Sequence, residues 1–333
     1  DRKVNAPGRS ALHRPCHGQV RFGPVALDDR PVEGEAEPLG RVTGQVGGPV
    51  LLLPHELRIG RVHMDQVGAG IARKDRMTVM TESGTTEAPV PDDLLGNWQR
   101  ALKFESDYRL GNVGGTAGGE WLFPPQTINA YYSPGSNEMV LPAAIFQPPV
   151  FDFDADDAVN YGAAGSLIGH EICHAFDERG RQFDGAGGVR DWRGPADAER
   201  FAARAGRLIA QLNAYEPLPG LRVNGPVAYA ETMADLGGLA IAYRAYTLSL
   251  GGKRPPVIDG LTGEQRFFMG WAQIWRAKER DEYVRSLLQT SLYLPPSFRA
   301  NAAAGNVDGF YAAFGIKPEH RLYRAPAERV RIW

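Results

Sequence analysis

The sequence predicts an α+β fold, predominantly helical, with a few short strands gathered ahead of a long central helix. Three observations carry this reading. Helix-compatible apolar spacing occupies most of the chain after residue 93. Two strand-like pieces, residues 127–132 and 138–141, flank the turn-forming Ser133-Pro134-Gly135-Ser136. The helix expected next, residues 157–177, contains His170-Glu171-Ile172-Cys173-His174.

Residues 1–92 keep no helical period and are dense in Gly, Pro, Arg and Val. Short strands, loops, disorder, an unrelated fusion or a non-native translation all fit this unassigned segment. His13, Cys16 and His17 cluster within it, but nothing nearby completes a site, and Gly68-Ala69-Gly70 lacks a strand-to-helix setting. The texture changes at Asp93, so residues 93–333 are read as one domain. Residues 94–110 read as an amphipathic helix. Residues 111–119 read as a glycine-rich loop without the Lys-Ser/Thr of a phosphate cradle.

The central helix is expected to be capped by Asp154 or Asp156 and to stop before Gly180. Gly162, Gly165 and Gly169 lie inside it. Each costs about 1 kcal/mol relative to alanine, so close packing is the expected reason for them. Further helices are expected near 197–214, 228–249, 263–280 and 306–314.

Composition narrows the function. With 333 residues and 43% hydrophobic against 23% charged residues, the chain is ordinary for a globular protein. A formal net charge of -2 gives no basic field for nucleic acid. No apolar run approaches the roughly 18 residues a membrane span needs. The chain begins with Asp1 rather than Met, which suggests a fragment or processed product. Two cysteines, Cys16 and Cys173, argue against a disulfide framework. Cys173 reads as a small buried hydrophobe.

Residues four apart on a helix share a face. His170 and His174 are therefore placed to share one zinc ion, with Glu171 beside it as a general base on water. A catalytic zinc usually takes three protein ligands. Glu231, in Ala230-Glu231-Thr232-Met233-Ala234-Asp235, is the best third. Asp235, again four residues on, could accept the free N–H of a liganding histidine. By spacing alone both acids could equally face solvent; Gly237-Gly238 directly afterwards argues for close helix packing.

With these residues in place the chain resembles the neprilysin family of zinc metallopeptidases, specifically a bacterial-type member's C-terminal catalytic part. The resemblance rests on Asn129-Ala130-Tyr131-Tyr132, on Gly169 through Asp177, and on Glu231-Thr232-Met233-Ala234-Asp235-Leu236-Gly237-Gly238. Gln147-Pro148-Pro149, Trp271-Ala272-Gln273 and Arg329-Val330-Arg331-Ile332-Trp333 fit as well. It implies a thermolysin-like zincin domain with a short substrate-binding edge strand. One zinc per chain would be held by His170, His174 and Glu231, with Glu171 activating its water and Asp235 supporting it. Asn129 and the Ala130 backbone would hold the peptide as an added strand, and Arg299 would bind its main chain beyond the scissile bond. The implied activity is endopeptidase or oligopeptidase cleavage of short peptides on the amino side of hydrophobic residues. The family's usual placement is outside the cytoplasm; oligomeric state stays open.

The chain departs from the family at Tyr293, in Leu292-Tyr293-Leu294-Pro295-Pro296, where the family has an oxyanion-stabilising histidine. Either the Tyr293 O–H takes over that role, or Tyr293 only packs and activity is weakened. The second case leaves a catalytically impaired peptide-binding or structural protein. Thr232 replaces the family's usual Asn. A long helical region that covers the cleft in full-length members has no counterpart in residues 1–92, which predicts exposed apolar surface and poor solubility.

Overall fold

Side-chain caps mark the start of several of the helices. The computed structural model describes residues 19–22, 51–52, 58–59, 92–111, 113, 122–123 and 126–332. The His13, Cys16 and His17 cluster, Gly68-Ala69-Gly70, most of the 111–119 loop and the general character of residues 1–92 lie outside them. Strand β1, Gln19–Phe22, pairs antiparallel with β5, Glu138–Pro142, which pairs on its other side with β4, Tyr131–Ser133. The order β1-β5-β4 leaves the outer edge of β4 without a described strand. A separate ladder joins β2, Leu51–Leu52, to β3, Arg58–Ile59.

Helix α1 runs Leu94–Gly111. The central helical stretch starts as α2, Asp157–Asn160, passes through a π turn, Tyr161–Gly165, and continues as α3, Ser166–Cys173. Its cap is Asp156, whose carboxylate accepts the Ala158 N–H at 3.0 Å and also binds Arg266 Nε at 2.9 Å. It stops sooner than the expected residue 177. The Asp177 carboxylate takes the Arg179 and Gly180 N–H groups, both at 2.8 Å, and folds the chain into a turn. Only glycine fits at 180, because a Cβ there would overlap the His174 carbonyl oxygen.

Helix α4 is Pro195–Asn213 and α5 is Gly225–Ser249, the latter capped by Asn224. Helix α6, Gly263–Ile274, opens with a reciprocal Thr262–Gln265 capping box. The single helix expected over 263–280 is two. Trp275 leaves helical geometry, the polar run 276–280 offers no apolar face, and α7 restarts at Asp281–Thr290 with two acids in its first turn. Helix α8, Pro296–Ala304, was not expected: Pro295-Pro296 reads as a breaker, but Pro296 occupies the first helical turn, which proline tolerates. Helix α9 is Asp308–Phe314 and ends at Gly315 in the left-handed region.

The main core joins α4, α5, α6, α8 and the C-terminal tail through Leu208, Leu212, Met233, Leu239, Trp271, Ala303 and Val330, all at most 1% exposed. A smaller cluster of Met139, Leu141, Ile145 and Ile168 seats β5 on α3. No described helix is long and apolar enough to cross a membrane.

Candidate metal centre and cleft

Helices α3 and α5 meet backbone to backbone. A Cβ on Gly169 would lie 2.8 Å from Gly238 Cα, and one on Gly238 would overlap the His170 nitrogen and lie 2.5 Å from the Ser166 carbonyl oxygen. This approach brings Glu231 and Asp235 of α5 to the histidines of α3. His170 Nε2 and His174 Nε2 are 3.0 Å apart. Glu231 Oε2 lies 3.4 Å from the first and 3.8 Å from the second. These ligand-type atoms lie within 4.8 Å of one another.

Each histidine is held from behind by a carboxylate. His170 Nδ1 lies 2.8 Å from Asp235 Oδ1, and His174 Nδ1 lies 2.8 Å from Asp177 Oδ2. With Nδ1 donating to these carboxylates, the neutral imidazoles would turn both Nε2 lone pairs toward one point, the form that binds a metal. Glu231 Oε2 is buried and accepts no hydrogen bond. Two bare imidazole nitrogens and an orphaned carboxylate oxygen, converging on one point, fit a divalent cation of zinc's ligand preference.

The electrostatics point the same way. Burial opposes charge on His170, yet Asp235 and Glu231 outweigh it and push the imidazole up to about 10. A field that favours a proton there also favours a metal cation. Burial raises the Glu171 carboxyl, with the neighbouring histidines partly offsetting it. Burial also opposes charge on Asp235, but Arg299 and His170 hold it below the usual carboxylate range. For Asp177, burial is outweighed by His174 and the Gly180 and Arg179 N–H groups.

A cleft of about 870 Å³ opens over these groups. Its walls include Asn129, Ala130, Arg299, Tyr293 and Trp275, so every sequence-expected site residue except the buried Asp235 lines one cavity. Asn129 and Ala130 sit just before β4 rather than inside it, and the Asn129 side chain accepts the Ala130 N–H at 2.9 Å. Arg299 donates from Nε and Nη2 to Asp235, both at 2.7 Å. Rings lie on its guanidinium, Trp275 at 3.9 Å and Tyr293 at 4.8 Å from their centroids.

Two contributors escaped the sequence reading. Asp177 had a signal, an acid three residues past His174. Trp275 had none, because its contact with Arg299 is long-range. Cys173 is buried, as expected. Asp235 is 1% exposed, which removes the solvent-facing alternative for that acid.

Comparison with known proteins identifies the family. Residues 129–330, more than half of the chain, match the profile of peptidase family M13. A neutral endopeptidase of Lactococcus lactis is 38% identical over 213 residues, covering 64% of this chain and 32% of that protein. Neprilysin-1 of Caenorhabditis elegans is 40% identical over 221 residues, covering 64% and 29%. Among solved structures, the zinc metalloprotease ZMP1 of Mycobacterium tuberculosis in complex with inhibitor has 49% identity and a TM-score of 0.69, covering 73% of this chain and 38% of that one. The chain thus spans about a third of the length of the curated relatives it matches. It belongs to peptidase family M13, the neprilysin family.

Proposed function

We propose that residues 93–333 form a zinc-dependent peptidase domain that hydrolyses short peptides on the amino side of hydrophobic residues. The observation that carries this is the buried Glu231 oxygen without a hydrogen bond, facing two histidine nitrogens whose other nitrogens are already engaged. His170, His174 and Glu231 would hold one zinc ion per chain. When bound, zinc polarises the substrate carbonyl and lowers the pKa of water from about 15.7 to about 7.

Glu171 takes the proton of the attacking water and delivers it to the leaving amine. Its buried setting, which raises its carboxyl, suits a group that must both accept and return a proton. Asp235 keeps His170 oriented and Arg299 in place. The extended peptide lies along the edge of β4 that no described strand occupies, with Asn129 and the Ala130 backbone gripping its main chain and Arg299 binding it beyond the scissile bond. Tyr293 supplies the O–H that stabilises the oxyanion. Its phenol lines the cleft, and burial pushes it up to about 12, so it remains a donor at neutral pH. Ile145, Leu167 and Ile274 give the cleft apolar wall suited to a hydrophobic side chain. A second reading, a peptide binder with little turnover, follows if Tyr293 only packs. Extracytoplasmic placement belongs to the same proposal by family likeness.

The test is zinc content together with cleavage of a short peptide containing one Phe or Leu, for the parent and for Glu171→Gln. The variant is expected to keep about one zinc per chain and to lose turnover. Cleavage at the parental rate would remove Glu171 as the base, and a parent without zinc would remove the metal site.

A further inference from the structure

The charged groups on the cleft wall are nearly all spoken for. Arg299 is bound to Asp235, Asp177 to His174, and Glu178 to Arg181. Glu231 faces the two histidines. Arg179 differs: it is exposed, it lines the cleft, and its guanidinium has no ion pair, hydrogen bond or ring contact among the described residues. Its backbone is nonetheless fixed, since its N–H donates at 2.8 Å to the carboxylate that orients His174.

The two arginines are linked to different histidines, each through a different carboxylate. Arg299 stands behind His170 through Asp235, and Arg179 stands beyond His174 through Asp177. The cleft floor follows α3 from Leu167 to the turn at Arg179. Tyr132, Ser133 and Pro134, at the far end of β4, line the same cavity as that turn. Arg299 is assigned to the peptide beyond the scissile bond. Arg179 therefore faces the residues that precede it.

We propose that Arg179 forms a subsite for an acidic side chain, Asp or Glu, in the part of the peptide that precedes the cleaved bond. This rests on the cleft taking a peptide in the orientation proposed above. An unpaired guanidinium beside a chain held as an extended strand meets alternate side chains of one face. A carboxylate gains a bidentate partner there, whereas a lysine at the same place meets an uncompensated positive charge.

The test uses a peptide series with one cleavable Phe bond and Glu, Gln or Lys at each of the three positions before it. At one of the positions Glu is expected to exceed Gln in kcat/KM by about two- to fivefold, the range of a solvent-accessible ion pair. The ratio should shrink as salt is raised. Arg179→Gln should bring the Glu peptide down to the Gln peptide, and Arg179→Glu should move the preference to Lys. A parent indifferent to Glu and Gln at every position, or an Arg179→Gln chain with the parental preference, would overturn the subsite. The same Glu-to-Gln ratio is read as affinity by calorimetry in zinc-loaded Glu171→Gln. A parent that hydrolyses no peptide thus counts against the peptidase reading alone, while the affinity ratio still decides Arg179.

Discussion

Tyr293 carries two separable duties at the residue scale. Its ring lies over Arg299, and its O–H points the oxyanion question at one atom. Tyr293→Phe keeps the ring and removes the donor. If the phenol stabilises the oxyanion, kcat falls by about 100- to 1000-fold while KM moves little. Tyr293→Leu also removes the stack and is expected to raise KM by about three- to tenfold, the scale of one partly desolvated cation–π contact. Trp275→Leu should raise KM alike and spare kcat. Steady-state kinetics on one hydrophobic peptide separates these; parental kcat in Tyr293→Phe would free the phenol of any catalytic part. The sequence made His170, Glu171 and His174 legible because four-residue spacing is a helical property, and Glu231 and Asp235 legible for the same reason. It could not announce that Trp275 and Tyr293 cover Arg299, since rings and guanidinium come from different elements that only tertiary packing joins.

Among the elements, the crossing of α3 and α5 sets the metal geometry. The two helices touch through Gly169 and Gly238, where a side chain has no room. Gly238→Ala must push α3 away from α5 and separate Glu231 from the histidines. The expected cost is about 1–3 kcal/mol of stability, as for an overpacked core site, with a larger proportional loss of zinc affinity. A thermal melt with a competitive zinc titration checks this; parental zinc affinity would mean that the contact does not set the site. Glycines inside a helical pattern hinted at this packing, and Gly162 behaves alike, its would-be Cβ overlapping the Phe267 carbonyl oxygen. Gly165 does not: its nearest neighbour would be Ala242 Cβ at an ordinary 3.6 Å. Helix periods foretold α4 and α5 closely because long apolar faces repeat. The break at Trp275 and the start of α8 at Pro296 were hidden, since apolar period alone cannot place a short helix or distinguish an initiating proline from a terminating one.

Over the whole molecule, the C-terminal tail, which contributes no residue to the cleft lining, ties the helical core together. Val330 and Ile332 are 1% and 3% exposed within the main core cluster. Asn306 Oδ1 accepts the Val330 N–H at 2.7 Å, Gln211 donates to the Glu328 carbonyl at 2.7 Å, and Arg204 donates to the Ile332 carbonyl at 2.6 Å. Arg329 and Arg331 both pair with Asp308, and the hydrogen bond from Arg329 is the foremost cause that holds this carboxyl below its usual range. A depressed carboxylate stabilises the fold above its unfolded pKa, near 3.9, and that contribution is lost as pH falls through the lower folded value. Asp308→Asn should therefore lower neutral stability slightly and flatten the acid end of the stability curve by that same amount, which solvent screening of the exposed Asp308 keeps small. Ile332→Ala acts differently. It removes a buried branched side chain and is expected to cost about 2–5 kcal/mol at every pH. The same core cluster contains Met233 and Leu236 of α5, the helix that presents Glu231 and Asp235. Loosening the tail should thus lower the urea midpoint first and zinc affinity only as α5 loses its support. A midpoint equal to the parent's would show that the tail rests on the core without holding it.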